Sequence, residues 1–130
     1  MKKRITHPIT LLLLLFAGFP FAATAQEKQL VSRTSLGRMD VLSRARLFEA
    51  TIEKVAKSEG VDPLILWTIA YNETRFRPWL TSPKNAQGLM QFMPATAARF
   101  GLTNPYEPTS SLYAAAKYVK YLGRLFDWRL

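Results

Sequence analysis

The chain has 130 residues with 18 Lys+Arg against 9 Asp+Glu, a formal charge of +9, and 48% of its residues are hydrophobic. This composition allows one small domain with a core and excludes a disordered tail, a collagen-like repeat and a coiled coil. There is no Cys and the one His is His7, which lies in an N-terminal leader, so disulfide scaffolds, thiol or Ser-His-Asp catalysis and Cys- or His-ligated metal sites are excluded.

Lys2, Lys3 and Arg4 precede an apolar run from Ile9 to Phe21, closed by Ala23-Thr24-Ala25. This is the pattern of a signal peptide over residues 1–25. Pro8 and Pro20 interrupt the apolar stretch and argue against a membrane-spanning helix. An uncleaved leader is the alternative, and it is the one route by which the chain would reach a membrane. Loss of Lys2, Lys3 and Arg4 with the leader lowers the charge from +9 to +6. For an exported protein, that charge suits an anionic envelope polymer or membrane surface rather than DNA. The basic residues form no stripe and no nucleic-acid motif is present, so no nucleic-acid partner is expected.

Residues 26–39 are polar and read as a linker or N-terminal arm. From Asp40, an N-cap, the apolar residues Val41, Ala45, Phe48, Ile52, Val55 and Ala56 mark one face of a helix that Gly60 stops, with Glu53 and Lys57 spaced for an i,i+4 pair. Asp62-Pro63 starts a second helix, apolar nearly all round through Tyr71 and therefore expected to be buried. A loop rich in Pro, Ser, Asn and Gly follows, then a short helix after Pro94 that ends at Gly101. Asn104-Pro105 and Pro108 mark another loop. The last helix begins near Thr109 to Ser111 and buries Leu112, Ala115, Ala116, Val119, Leu122 and Phe126. No β-alternation of useful length occurs, so the domain over residues 40–130 is all-α.

Among the acids, Asp40 and Asp62 read as caps, Glu49, Glu53 and Glu59 as exposed, and Glu107 as part of a proline-rich turn. Glu73 stands at the C-terminal end of the most apolar helix, near Trp67, Ile69, Ala70 and Phe76. The helix macrodipole and apolar surroundings both disfavour an ionised carboxylate there, as a general acid requires. The alternative is a surface Glu paired with Arg75 or Arg77. One general acid suits a glycosidic bond, whose leaving oxygen needs a proton. Glycosidases ordinarily pair two carboxylates, so either a distant acid such as Glu107 or Asp127 folds next to Glu73 or the substrate supplies its own nucleophile.

Glu73-Thr74-Arg75-Phe76-Arg77-Pro78 resembles the E-S-x-F-x-P segment of the soluble lytic transglycosylase (SLT) family. Gly88-Leu89-Met90-Gln91-Phe92-Met93-Pro94-Ala95-Thr96-Ala97 resembles its G-L-M-Q-x-M-P-x-T-A segment, and Asn104-Pro105-Tyr106-Glu107-Pro108 its N-P-x-x-P turn. The match runs from about Leu47 to the C-terminus. The resemblance implies a lysozyme-like helical domain that cleaves the β-1,4 bond between N-acetylmuramic acid and N-acetylglucosamine in peptidoglycan, in the periplasm or cell envelope of a bacterium, without cofactor or metal. It implies that Glu73 is the catalytic acid and base, that the muramoyl C6 hydroxyl attacks C1 to leave a 1,6-anhydro end, and that Thr74, Gln91 and Met93 contact substrate. Thr74 stands where the family usually has Ser. The family's A-Y-N-type segment does not follow the last helix, and Ala70-Tyr71-Asn72 is not that segment, so the domain is expected to be C-terminally incomplete. A non-catalytic peptidoglycan-binding or assembly-associated module and a hydrolysing muramidase are the alternatives. An envelope-spanning secretion apparatus is a further partner that the reading leaves open.

Overall fold

The computed structural model describes residues 33–127. The segment at 1–25 expected to be a signal peptide, the first part of the expected linker and the apolar residues Trp128 and Leu130 lie outside the described residues. From residue 41 onward the described residues form four helices: α1 (Val41–Glu59), α2 (Pro63–Thr74), α3 (Pro94–Arg99) and α4 (Pro108–Leu125). α1 packs against both α2 and α4, and α2 touches α4 more lightly.

Each boundary has a local cause. The Asp40 carboxylate accepts hydrogen bonds from the Leu42 and Ser43 N–H groups, and Gly60, at φ 67°, closes α1 in the left-handed conformation. Asp62 accepts from the Leu64 N–H, with Pro63 at the first helical position. Glu107, expected in a turn, is instead the N-cap of α4. Its carboxylate accepts from Thr109 and Ser110 (3.0 and 2.6 Å), so α4 begins at Pro108, one residue before the expected start.

The core is continuous through Phe48, Ile52, Val55, Leu66, Ala70, Phe76, Leu89, Leu112, Ala116 and Val119. Ile52, Val55, Leu66, Leu89 and Leu112 are fully buried, and each contributes roughly 1.5–3 kcal/mol by leaving water. The expected face of α1 is the one that is buried. α2 departs from expectation: Leu66, Ala70 and Thr74 are buried, but Leu64 and Tyr71 are exposed. A uniformly apolar sequence does not say which face a neighbour will cover. Phe126, expected inside, is exposed. The Glu53–Lys57 pair does not form; among the described residues the ion pair is Lys120 with Glu59, at 3.4 Å.

Residues 33–38, read as part of a linker or arm, are helical. Their polar composition hid this, because the tie that holds them comes from elsewhere in the chain: Arg44 on α1 donates hydrogen bonds to the carbonyls of Leu36 and Met39. The described residues contain isolated bridges from Gln87 to Thr81 and Phe92 and no longer strand pairing. None of the described helices is long and apolar enough to cross a membrane.

Candidate active site

α2 carries Glu73 in its last turn. The chain then turns sharply through Arg75 and Phe76, both at positive φ (50° and 60°). Two consecutive non-glycine residues in this region cost roughly 1–2 kcal/mol each, and the surroundings must hold them. The Arg75 N–H donates to the Tyr71 carbonyl and the Phe76 N–H to the Ala70 carbonyl, capping the helix. The Phe76 ring is buried against Trp67 (5.4 Å between centroids) and Phe48 (6.2 Å).

A second tight turn brings residues 87–93 to the same place. Gln87 and Phe92 exchange two backbone hydrogen bonds (2.9 and 3.0 Å), and the Gly88 N–H donates to the Leu80 carbonyl. Gly88 has φ 76°, and a Cβ there would lie 1.7 Å from the Pro105 carbonyl oxygen. The turn therefore rests directly on the Asn104-Pro105 backbone that leads into α4. Gln91, at φ 52°, donates through its side-chain amide to the carbonyls of Gly88 (2.9 Å) and Leu80 (3.3 Å). Its amide oxygen keeps no partner among the described residues.

Between these turns and α4 lies a hollow of about 340 Å³, lined by Glu73, Gln91 and Met93 with Ile69, Tyr118 and Val119 among the apolar walls. Glu73, Gln91 and Met93, three of the four expected site residues, thus line one space. Thr74 does not join them. It is 1% exposed, and its hydroxyl donates to the Leu89 carbonyl (2.9 Å), lies 3.2 Å from the Ala70 carbonyl oxygen and accepts from the Arg77 N–H (3.3 Å). Thr74 clamps the Glu73 turn to the Gly88 turn from inside; the expectation of substrate contact is corrected by its burial. Tyr118, which the sequence reading did not single out, lines the hollow. Its i+3 position after Ala115, another lining residue, was the signal available.

Glu73 is exposed rather than enclosed, although Ile69, four residues before it on α2, lines the same hollow. Among the described residues its carboxylate has no ion pair or hydrogen bond. The arginines that could have neutralised it are engaged elsewhere. The Arg75 guanidinium lies over the Tyr71 ring (5.3 Å), and Arg77 Nε donates to the Thr74 carbonyl (2.9 Å). Among the described residues no other acidic side chain lines the hollow. Glu107 instead lines a separate hollow of about 470 Å³ beside Trp79 and Tyr106, and its carboxylate is committed to capping. Partial burial pushes the Glu107 carboxyl up, but hydrogen bonds from Ser110 and Thr109 outweigh this and hold it below the ordinary glutamate value. The described residues include no cluster of three or more acidic or histidine side chains able to hold a metal ion.

Residues 50–129 match the model of the family described as transglycosylase SLT domain. The chain is 35% identical over 79 residues to a transglycosylase of Enterobacteria phage PRD1, covering 61% of this chain and 30% of the phage protein. It is 35% identical over 80 residues to the membrane-bound lytic murein transglycosylase F of Pseudomonas fluorescens, covering 62% of this chain and 16% of the relative. The protein of the same description from Hahella chejuensis is 33% identical over 90 residues, covering 69% and 18%. The chain thus spans less than a third of the length of these curated relatives.

Proposed function

The chain belongs to the transglycosylase SLT domain family, and from that premise we propose that it is a peptidoglycan lytic transglycosylase with Glu73 as its single acid and base. The observation that carries the proposal is the position of Glu73, a carboxylate that among the described residues has no partner and lies beside Gln91 and Met93 in a hollow lined by no second described acid. Cleavage begins when the Glu73 carboxyl protonates the glycosidic oxygen of the β-1,4 bond as that oxygen leaves C1. The resulting carboxylate then takes the proton of the muramoyl C6 hydroxyl, whose oxygen bonds to C1. The proton is returned to Glu73, no water is consumed, and a 1,6-anhydro end results. A hydrolytic route ordinarily uses a second carboxylate to activate water, and the described residues lining the hollow include none besides Glu73. Gln91, with a free amide oxygen, and Met93, which is exposed, are assigned to substrate contact. A basic chain exported to the cell envelope suits a polymer whose stem peptides carry carboxylates.

The test is digestion of purified sacculi with the protein and with Glu73→Gln. The proposal requires soluble anhydro-muropeptides from the first and none from the second. Equal release would remove Glu73 from the mechanism. Binding to sacculi with no release by the unaltered protein would favour the non-catalytic module.

A further inference from the structure

Arg44 is the one charged residue buried among the described residues, at 8% exposure, and no carboxylate accompanies it. A guanidinium out of water is costly unless its donors are used. Its partners are all backbone carbonyls: Nη1 donates to Leu36 (3.2 Å) and to Met39, and Nε donates to Arg75 (3.1 Å). The last contact spans 31 positions and ends two residues after Glu73, on the left-handed residue that closes α2. A cation here also meets the negative end of the α2 dipole.

We propose that Arg44 is a positioning residue for Glu73. Its guanidinium clamps the strained turn at Arg75 and Phe76 and so fixes the end of α2 from which Glu73 projects into the hollow. The inference rests on the reading of Glu73 as the acid and base, but the clamp itself is measurable without catalysis. Lysine cannot replace Arg44, because one ammonium cannot serve three carbonyls spread around a planar fork.

The experiment compares the full chain with Arg44→Lys and with Ile52→Val, a core variant on the same helix that removes none of the Arg44 hydrogen bonds and controls for general loss of stability. Backbone amide hydrogen exchange and the carboxyl carbon resonance of Glu73 are read by NMR, and kcat and KM on sacculi are measured beside them. In Arg44→Lys, exchange at Arg75 and Phe76 is expected to accelerate at least about tenfold more than at Val55. The Glu73 resonance should move, and kcat should fall by about tenfold or more with KM little changed, as misplacement of a catalytic group predicts. Ile52→Val should raise exchange evenly and leave the Glu73 resonance in place. Uniform acceleration in Arg44→Lys, or a loosened turn with unchanged kcat, overturns the inference. If the unaltered chain releases nothing from sacculi, the acid/base reading fails, and exchange with the Glu73 resonance still decides whether Arg44 holds the turn. If Arg44→Lys does not fold, it is combined with Arg75→Gly. Glycine adopts the left-handed conformation without strain, so the double variant should fold if the turn is what Arg44 holds, and its failure to fold overturns the inference.

Discussion

Replacing Gly88 with Ala should damage this domain far more than the same change at Gly60, although both residues have nearly the same φ (76° and 67°). At Gly60 the new Cβ meets nothing within 4 Å, so the cost is the left-handed conformation alone, about 1–2 kcal/mol. At Gly88 the Cβ would lie 1.7 Å from the Pro105 oxygen and 2.5 Å from its carbonyl carbon. Non-bonded atoms sit about 3.5 Å apart at best, so one of two backbones must retreat by well over an ångström. Overpacking of this kind adds about 1–3 kcal/mol, giving roughly 2–5 kcal/mol in total for Gly88→Ala. Each kcal/mol lowers the Tm of a domain this size by roughly 4–8 °C. Thermal and urea unfolding of the two variants beside the unaltered protein reads the difference. Equal losses at the two positions would refute the direct contact between the Gly88 turn and the Asn104-Pro105 backbone, and with it the way the Gln91 turn is set beside Glu73.

Other outcomes follow from the same contacts. Thr74→Val keeps the shape but leaves the Leu89 carbonyl and the Arg77 N–H without the hydroxyl, which should cost about 1–3 kcal/mol in urea unfolding, whereas Thr74→Ser, which keeps the hydroxyl, should retain activity on sacculi. Two of the three carboxylate helix caps, Asp40 and Glu107, should make stability depend on acid. Hydrogen bonds to Asp40 from the Ser43 hydroxyl and N–H and the Leu42 N–H hold its carboxyl below the ordinary value, and Glu107 is lowered in the same direction. A group lowered on folding contributes stability that is present above its unfolded value, about 4 for these carboxyls, and lost as pH falls through its folded value. Tm should therefore fall with pH below that point, and the fall should be shallower in Asp40→Asn and Glu107→Gln than in the unaltered protein; an identical pH profile in both variants would refute the assignment.

Much of the fold was legible because its boundaries are local. Asp40, Gly60 and Asp62-Pro63 mark helix ends through bonds to residues two to four positions away. Contacts distant in sequence were not legible. Arg44 donates to the Leu36 carbonyl within the helical residues 33–38, but its charge gives no sign in the sequence that it will be buried. α2 is apolar on every side, so only packing reveals that Leu66 faces the core and Glu73 does not. Thr74 sits next to Glu73 in sequence, but successive helical residues project in different directions, and the hydroxyl points into the protein while the carboxylate lies on the hollow. Pro108 was read as a breaker, although proline at the first helical position is favourable, and this concealed the capping role of Glu107. The resemblance to the family motifs, not their geometry, is what named Glu73, Gln91 and Met93 together; the two sharp turns that bring them to one hollow are held by backbone hydrogen bonds that the motif does not spell out.

The central claim is that one carboxylate, Glu73, suffices and that water takes no part in the cleavage. Digestion of sacculi in ¹⁸O-labelled water, with mass spectrometry of the released muropeptides, tests it directly. The account predicts unlabelled 1,6-anhydro ends from the unaltered protein and no release by Glu73→Gln. Reducing ends that incorporate ¹⁸O during cleavage would show that water, not the C6 hydroxyl, attacks C1, and would contradict it.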